Sequence, residues 1–198
     1  APYSLCWHAG RLWAGTIWRP NTEVPGDVSW IRPNIDTAWT LDRTQSQGRG
    51  CSFLISYKGE LFAGTGLGAT CATCVVEKRT TLGVWSISLS TGAGAGSGFT
   101  NAVVFNNKLY ANQINATGPA FTVRQYDGTS WNTVLTTADG KYIGPIWVDN
   151  GIIFTGGGGS NTQTSLWSST DGTSWTSRTA NVPGSTLSGI ATVGTLAL

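Results

Sequence analysis

The chain has 198 residues, of which 40% are hydrophobic but only 11% are charged, and its net charge is +2. Because Lys and Arg are not gathered into one segment, a nucleic-acid-binding surface is not expected. No apolar run reaches the roughly 18 residues that a membrane-spanning helix needs. The 27 Gly and 10 Trp residues favour many short strands joined by tight turns.

One short pattern recurs along the chain every 43 to 49 residues: Gly or Asn, a variable residue, an aliphatic residue, an aromatic residue and a small residue. An apolar run rich in β-branched and aromatic residues precedes each copy. Run and pattern therefore predict two antiparallel strands, a and b, joined by a tight hairpin whose turn needs positive φ angles. The copies begin at Gly10, Gly59, Asn107, Gly151 and, in a weaker form, Gly194.

A third strand, c, and a fourth strand, d, follow each hairpin. The turn between them is clearest at Tyr126–Trp131 and Thr170–Trp175, where Asp-Gly sets the turn and Trp begins strand d. The second repeat is expected to lack this Trp and to carry a low-complexity loop or edge at Thr91–Gly98 instead. Strand c is predicted at Ser29–Arg32, Val84–Leu89, Thr122–Tyr126 and Ser165–Ser168.

The repeat unit is a four-stranded antiparallel sheet, because no stretch shows the 3.6-residue apolar period of a helix. Repeats of this length with four strands each are typical of propeller blades. The sequence predicts an all-β fold: a β-propeller of four four-stranded antiparallel blades plus a C-terminal half-blade, closing as four or five blades. One domain spans 1–198, with repeats at about 4–48, 49–98, 99–142 and 143–186 and a half-repeat at 187–198.

Two of these motifs resemble known blades. The hairpin pattern resembles the second strand of kelch blades, and Ser169–Trp175 resembles the Asp-box of sialidase-like propellers, with one residue fewer between Asp and Trp. In that family the Asp-box is structural. The resemblance implies that the following residues brace c–d turns: Ser169, Asp171 and Trp175, and also Asp127 and Trp131.

The cysteines are Cys6, Cys51, Cys71 and Cys74, and their even number favours disulfides in an extracellular protein. Free thiols and a metal site are the alternatives. Cys71 and Cys74 form a single CxxC, but a zinc site needs two further ligands and the chain has only one His. We therefore expect no metal and no cofactor, and an extracellular location: secreted, surface-displayed or virion-associated. Asn115 opens a sequon that is glycosylated only in a eukaryotic secreted protein.

Alternating strands place the a–b and c–d turns on one face and the b–c and d–a loops on the other. The b–c loops are longer and more varied, so their face is the better candidate for binding. Trp18 beside Arg19 and Asn21 would stack on a sugar ring and hydrogen-bond its hydroxyls. The alternative is that Trp18 covers the edge of its own blade. The other candidate ligand-binding residues on this face are Asn112, Gln113 and Asn161.

Two functions follow. The first is a non-catalytic, lectin-like binding module whose partner is a carbohydrate or surface glycan. The second is a structural subunit, such as a virion appendage or an extracellular filament, whose edge strands within Ser188–Leu198 pair with a neighbouring chain. An enzyme is not expected, because the Arg residues are scattered and no pair of carboxylates for glycoside hydrolysis is visible.

Overall fold

A computed structural model of the protein shows an all-β architecture. Within the residues it describes, sixteen strands form four separate four-stranded antiparallel sheets. The same residues contain no helix that is long and apolar enough to cross a membrane. The described residues are 2–16, 27–44, 50–65, 74–91, 98–114, 121–137, 142–158 and 164–178.

Each sheet is one propeller blade, and its strands a to d follow one another both in the chain and in the sheet. Blade 1 contains β1 (Pro2–His8), β2 (Arg11–Thr16), β3 (Asp27–Ile31) and β4 (Thr40–Thr44). Blade 2 contains β5 (Cys51–Tyr57), β6 (Glu60–Thr65), β7 (Cys74–Arg79) and β8 (Trp85–Thr91). Blade 3 contains β9 (Gly98–Phe105), β10 (Lys108–Ile114), β11 (Phe121–Tyr126) and β12 (Trp131–Thr137). Blade 4 contains β13 (Tyr142–Asp149), β14 (Ile152–Gly158), β15 (Thr164–Ser169) and β16 (Thr176–Ser177).

The four a–b hairpins confirm the predicted tight turns. Each has a two-residue turn, and both of its residues have positive φ, from 45° at Asn106 to 78° at Gly59. Two positive φ values in sequence define the turn that matches the natural twist of paired strands. The turn pairs are Ala9-Gly10, Lys58-Gly59, Asn106-Asn107 and Asn150-Gly151.

The prediction for the second repeat is wrong. Strand c is β7, and Val84–Leu89 belongs to the c–d turn and to strand d, which begins at Trp85. The turn is closed by two backbone hydrogen bonds, from Thr80 N–H to the Val84 carbonyl at 2.9 Å and from Gly83 N–H to the Thr80 carbonyl at 2.9 Å. This repeat therefore does carry the Trp at the start of strand d. Residues 92–97 of the Gly-rich segment lie outside the described residues.

Successive blades pack through their first strands, in the order β1, β5, β9 and β13. The aromatic residue of each of the first three hairpins packs against the next blade: Trp13 with Leu61 of blade 2, Phe62 with Leu109 of blade 3, and Tyr110 with Ile153 of blade 4. In the fourth hairpin, Phe154 stacks on Trp147 of its own sheet. Trp13, Phe62 and Tyr110 are 1%, 0% and 0% exposed. Burial of one such side chain contributes about 2–3 kcal/mol, so the cores between blades hold the sheets together.

Blade 1 has one face that no described blade covers. Leu5 is 57% exposed, whereas Leu54 and Ile146, at the same position of blades 2 and 4, are 7% and 3% exposed. Tyr3 and Trp7, which alternate with buried or half-buried neighbours on β1, are 64% and 60% exposed. The half-blade predicted at 187–198 lies outside the described residues.

Candidate functional site

A β-bulge interrupts the first strand of every blade at the same position. The pairing shifts at Tyr3 in β1, at Ser52 in β5 and at Thr100 in β9, and a similar shift lies between Ile143 and Ile146 in β13. A bulge inserts one extra residue into its strand and redirects that side chain. The repeat therefore places three hydroxyl-bearing side chains at equivalent points where the inner strands come together.

The bulges of β1, β5 and β9 line a cavity of about 340 Å³, which falls within the usual range for small-molecule sites. We call it the inner-strand cavity. Three consecutive residues from each of three first strands line it, namely Tyr3–Leu5, Ser52–Leu54 and Thr100–Ala102. All three segments lie in the half of their strand nearer the b–c loops, so the cavity lies towards the loop face that the sequence favoured for binding.

Hydrogen bonds hold several polar side chains of the cavity in place. The Ser52 hydroxyl donates to the Gly64 carbonyl at 3.1 Å. The Asn101 side-chain oxygen accepts from the backbone N–H of Ala102 at 2.8 Å. The Thr100 hydroxyl oxygen is shielded from solvent and has no hydrogen-bond partner within the described part of the chain. The wall thus combines fixed polar groups with one hydroxyl that is left unsatisfied.

The cavity is polar but uncharged as far as the structure describes it. Its described lining residues are hydroxyl, amide, aromatic and aliphatic side chains. Cys51 lies next to it, with its sulfur 3.8 Å from the Ser4 hydroxyl. Burial raises the pKa of the Cys51 thiol to about 12, which keeps the group protonated and weakly nucleophilic at neutral pH. The described wall contains no carboxylate, His, Lys or Arg side chain.

Two of the predicted ligand-binding residues lie within strand β10 rather than in a loop. Asn112 is 0% exposed and donates through its amide nitrogen to the Thr155 hydroxyl of blade 4 at 2.8 Å. Gln113 is 1% exposed, and its amide nitrogen donates to the Thr91 hydroxyl of blade 2 at 3.0 Å. Both amides therefore link blade 3 to its neighbours. Their proposed role in binding stays a prediction, as does that of the residues outside the described ranges: Trp18, Arg19, Asn21 and Asn161.

The Asp residues of the c–d turns accept hydrogen bonds from the backbone. Asp127 Oδ1 accepts from the N–H groups of Thr129 and Ser130 at 2.7 and 2.8 Å. Asp171 Oδ1 accepts from the Ser169 hydroxyl at 2.9 Å as well as from two backbone N–H groups that follow it. The backbone donors hold the pKa of both Asp127 and Asp171 below its usual value. These carboxylates are engaged within their own turns.

The Trp residues that follow these turns pack on the preceding blade. Trp131 donates through Nε1 to the Ser88 hydroxyl of blade 2 at 2.9 Å. Trp175 packs against the apolar cluster between blades 3 and 4. Gly172, in the turn before Trp175, has a φ of 77° and approaches Tyr110 so closely that a Cβ would lie 2.0 Å from the phenol oxygen. A side chain at this position would therefore clash with the Tyr110 ring and strain the turn, so that Tyr110 or the turn would have to shift.

The disulfide prediction is wrong for Cys6 and Cys51, which are free thiols. The Cys51 thiol donates to the Phe53 carbonyl at 3.1 Å and the Cys6 thiol to the Trp7 carbonyl at 3.6 Å, so each is directed at backbone rather than at a second sulfur. Cys74 is buried, while Cys71 and the sequon residue Asn115 lie outside the described residues. The described residues contain no group of three His, Cys, Asp or Glu side chains placed to hold a metal ion.

The inner-strand cavity was missed in the sequence. The available signal was that a hydroxyl-bearing residue stands at the same distance before the hairpin turn in the first three repeats, at Tyr3, Ser52 and Thr100. The bulge that turns these positions into a wall depends on strand pairing, which a repeat pattern does not show.

Four antiparallel blades packed through their first strands define a β-propeller, and solved structures share this fold. The sequence matches no protein-family model and no curated protein. The chain is similar to YjhT (14% identity, TM-score 0.58, covering 87% of this chain and 68% of that chain). It is also similar to the Aleuria aurantia lectin in complex with α-methyl-L-fucoside, with 11% identity and a TM-score of 0.57, covering 90% of this chain and 60% of that chain. The Trypanosoma rangeli sialidase in complex with the inhibitor DANA is similar at 12% identity and a TM-score of 0.55, covering 88% of this chain and 37% of that chain. This chain thus spans less than two thirds of the lectin and of the sialidase, and these likenesses show the fold.

Proposed function

We propose that this propeller is a non-catalytic, lectin-like module that binds a sugar unit in the inner-strand cavity. The observation that carries the proposal is the composition of the cavity wall, in which hydroxyl and amide groups stand beside aromatic and aliphatic surface at equivalent positions of three blades. A sugar has the complementary composition, because its hydroxyl groups surround a ring with apolar C–H faces. Small-molecule sites commonly pair apolar walls with a few placed polar groups.

The exposure of the two aromatic side chains in the wall supports this arrangement. Tyr3 is 64% exposed, so its ring is accessible to a ligand, while Phe53 is 4% exposed and forms a fixed apolar wall. A Tyr ring offers a flat surface for stacking and a hydroxyl for hydrogen bonding. One side of the cavity is therefore able to cover a sugar ring while the polar groups of β5 and β9 contact its edge.

The propeller neighbours add support. The Aleuria aurantia lectin was solved with a fucoside bound, so this architecture carries a sugar in that protein. The Trypanosoma rangeli sialidase was solved with an inhibitor, but we do not extend sialidase activity to this chain. Hydrolysis of a glycosidic bond usually requires two carboxylic acids beside it, and the described wall of the inner-strand cavity contains none.

A glycan array tests the proposal. The wild-type chain is expected to bind a defined subset of glycans. Tyr3→Ala should weaken that binding about tenfold, since stacking on one ring contributes roughly 1 kcal/mol or somewhat more. Trp39→Ala is the matched control, because Trp39 is also an exposed aromatic residue, at 47%, but lies on the outer side of blade 1. The proposal fails if the wild-type chain binds no glycan or if both variants lose binding equally.

A self-assembling structural subunit is the second candidate, and the uncovered face of blade 1 favours it. Leu5, Trp7 and Leu41 are 57%, 60% and 58% exposed, and exposed apolar patches of this kind mark association sites. In this case the purified chain should form oligomers whose mass depends on concentration, and Trp7→Glu should convert them to monomers. Leu82→Glu, at a residue 90% exposed in a turn of blade 2, should leave the mass unchanged. A wild-type chain that stays monomeric at the highest attainable concentration rules this candidate out.

A further inference from the structure

The Thr100 hydroxyl is a polar group for which the described fold provides no partner. Its oxygen has almost no solvent contact and no hydrogen bond within the described ranges, although Thr100 lines the inner-strand cavity. A buried hydroxyl without a hydrogen bond costs free energy, and such groups are rare in native structures unless they serve a purpose. The other bulge residue of similar size, Ser52, does donate a hydrogen bond, to Gly64.

The position of Thr100 allows its hydroxyl to reach a ligand. It is the extra residue of the β9 bulge, between Phe99 and Asn101, which pair with Gln113 and Asn112. Thr carries a methyl and a hydroxyl on the same carbon, so rotation about χ1 exchanges their positions between staggered rotamers. A ligand in the cavity that offers a hydrogen-bonding group would favour the rotamer in which the hydroxyl faces it.

The electrostatics of the cavity restrict the ligand. No charged side chain belongs to its described wall. A carboxylate that moved from water into this space would lose hydration without gaining a cationic partner, which is strongly unfavourable. A neutral hydroxyl or acetamido group loses less hydration and finds donors and acceptors on Ser52, Thr100 and Asn101.

We infer that the inner-strand cavity selects an uncharged sugar unit, and that a hydroxyl or acetamido group of this sugar completes the hydrogen bonding of Thr100. The inference rests on the proposed function and narrows it from carbohydrates in general to neutral ones. It also assigns a specificity-determining residue. In the free protein the Thr100 hydroxyl lowers stability, and in the complex it contributes affinity.

The test uses the full chain and two substitutions that remove one hydroxyl each. Thr137 is the matched control for Thr100, because its hydroxyl is also buried without a partner in the described structure, but at the end of β12 and away from the cavity. Both Thr100→Val and Thr137→Val should raise the melting temperature of the free protein by roughly 2 °C, the effect of removing one unsatisfied polar group. Melting is followed by circular dichroism.

Binding is measured by calorimetry with methyl α-L-fucoside, methyl β-D-galactoside, N-acetylglucosamine, glucuronic acid and N-acetylneuraminic acid as probes. The expected result is binding of at least one neutral probe and of neither acid. Thr100→Val should weaken this binding about tenfold, Thr100→Ser should retain it, and Thr137→Val should bind as the wild type does.

Three results overturn the inference, and they are distinguishable. Preference for an acidic probe contradicts the selection of neutral sugars but leaves carbohydrate binding in place. Unchanged binding by Thr100→Val, or a lowered melting temperature of that variant without ligand, contradicts the role of Thr100 alone. Failure of the wild-type chain to bind any probe or any glycan on the array contradicts the proposed function itself.

Discussion

The contact between blades 1 and 2 and the contact between blades 3 and 4 use the same strand positions with opposite chemistry. Between blades 1 and 2, Asp42 accepts hydrogen bonds from Trp85 Nε1 at 2.5 Å and from Arg79 Nε at 3.0 Å. Between blades 3 and 4, Val134 and Trp175 occupy the corresponding positions, and the indole N–H of Trp175 has no partner among the residues described. The backbone positions are therefore the same in the two contacts, but the polarity of the side chain opposite the Trp differs.

The contact between blades 2 and 3 is intermediate, with a neutral hydrogen bond from Trp131 to Ser88 at 2.9 Å. Asp42, Ser88 and Val134 each occupy a β-bulge of the outermost strand of their blade. The bulge directs this residue at the Trp that begins strand d of the next blade. A Trp thus occupies the same place in all three described contacts, while the residue opposite its N–H changes from a carboxylate to a hydroxyl to an apolar side chain.

A second ion pair exists between blades 1 and 2. Arg43 donates to both carboxylate oxygens of Glu77, at 3.0 and 2.6 Å. The Glu77 side chain is 0% exposed and the Arg43 side chain 26%. Bidentate pairs of this kind are the stronger and more directional ones. Charged pairs therefore add to the apolar core between blades 1 and 2, whereas the described contact between blades 3 and 4 contains no ion pair and combines an apolar cluster with neutral hydrogen bonds.

Substitution of Arg43 is expected to lower the free energy of unfolding more than any other change proposed for these contacts. Arg43→Met leaves the buried Glu77 carboxylate without its bidentate partner, which should lower the free energy of unfolding by about 3 kcal/mol. The double variant Arg43→Met with Glu77→Met should recover most of the loss, because no charge then remains buried. Urea unfolding measures both. Arg178→Met is the control, because it removes an exposed Arg side chain that donates a hydrogen bond to the Ser168 hydroxyl, and it should lose no more than about 1 kcal/mol. Equal loss in the single and double variants would show that packing, not charge, holds this contact.

Substitution of Asp42 should have the next largest effect on the free energy of unfolding. It should give the contact between blades 1 and 2 the apolar or hydroxyl character of the other two contacts. Asp42→Val imitates the position of Val134 and leaves Trp85 and Arg79 without their shared acceptor, with an expected loss of about 2 kcal/mol. Asp42→Ser imitates Ser88 and should lose about half as much, since a hydroxyl still accepts from Trp85. The two variants are compared by urea unfolding. If Asp42→Ser is no better than Asp42→Val, the hydrogen bond to the indole contributes nothing.

The opposite substitution, which adds a polar group at the bulge of blade 3, should change the free energy of unfolding by a smaller amount. Val134→Thr provides a hydroxyl opposite the unpaired indole N–H of Trp175, with an expected gain of at most about 1 kcal/mol. Val104→Thr, at a residue 39% exposed on β9, controls for the change in strand propensity. A loss at Val134 equal to that at Val104 would show that the hydroxyl does not reach the indole.

The smallest expected effect is a pH dependence of the free energy of unfolding that arises from His8, at the contact between blades 1 and 2. Burial, and then the positive charge of Arg79, lower the pKa of His8, whose ring lies 2.8 Å from the Ser56 hydroxyl. Because the folded-state pKa is below the unfolded value near 6.5, the unfolded chain binds the proton more readily. The contribution of His8 to stability is therefore fully present above about pH 6.5 and is lost as the pH falls from there through the lowered folded-state pKa. His8→Gln should remove this slope in urea unfolding, and a slope that persists in the variant would assign it to another group.

The hairpins were predictable because Gly or Asn at a fixed place in an apolar pattern demands the turn that Gly10, Gly59, Asn107 and Gly151 adopt. The c–d turn of blade 2 was missed because its sequence, Thr80–Trp85, lacks the Asp-Gly pair that marks the turns of blades 3 and 4. Local turn chemistry is thus visible in the sequence where standard turn residues are present.

The contacts between blades and the inner-strand cavity were not predictable. Asp42 and Trp85 are 43 residues apart in the chain, and nothing in either local sequence specifies their meeting. Asn112 follows the hairpin pattern and reads as a loop residue, but β10 continues to Ile114 and buries it. The contacts between blades and the cavity depend on how the sheets pack and on where the bulges lie. Both are determined by the pairing of whole strands rather than by local sequence.

A crystal structure of the chain with its best neutral glycan from the array would show whether the inner-strand cavity is the sugar site. We expect density for a sugar between Tyr3, Phe53 and Asn101, with the Thr100 hydroxyl turned towards it. A sugar bound elsewhere on the propeller, with the inner-strand cavity unchanged, would contradict the assignment of the site.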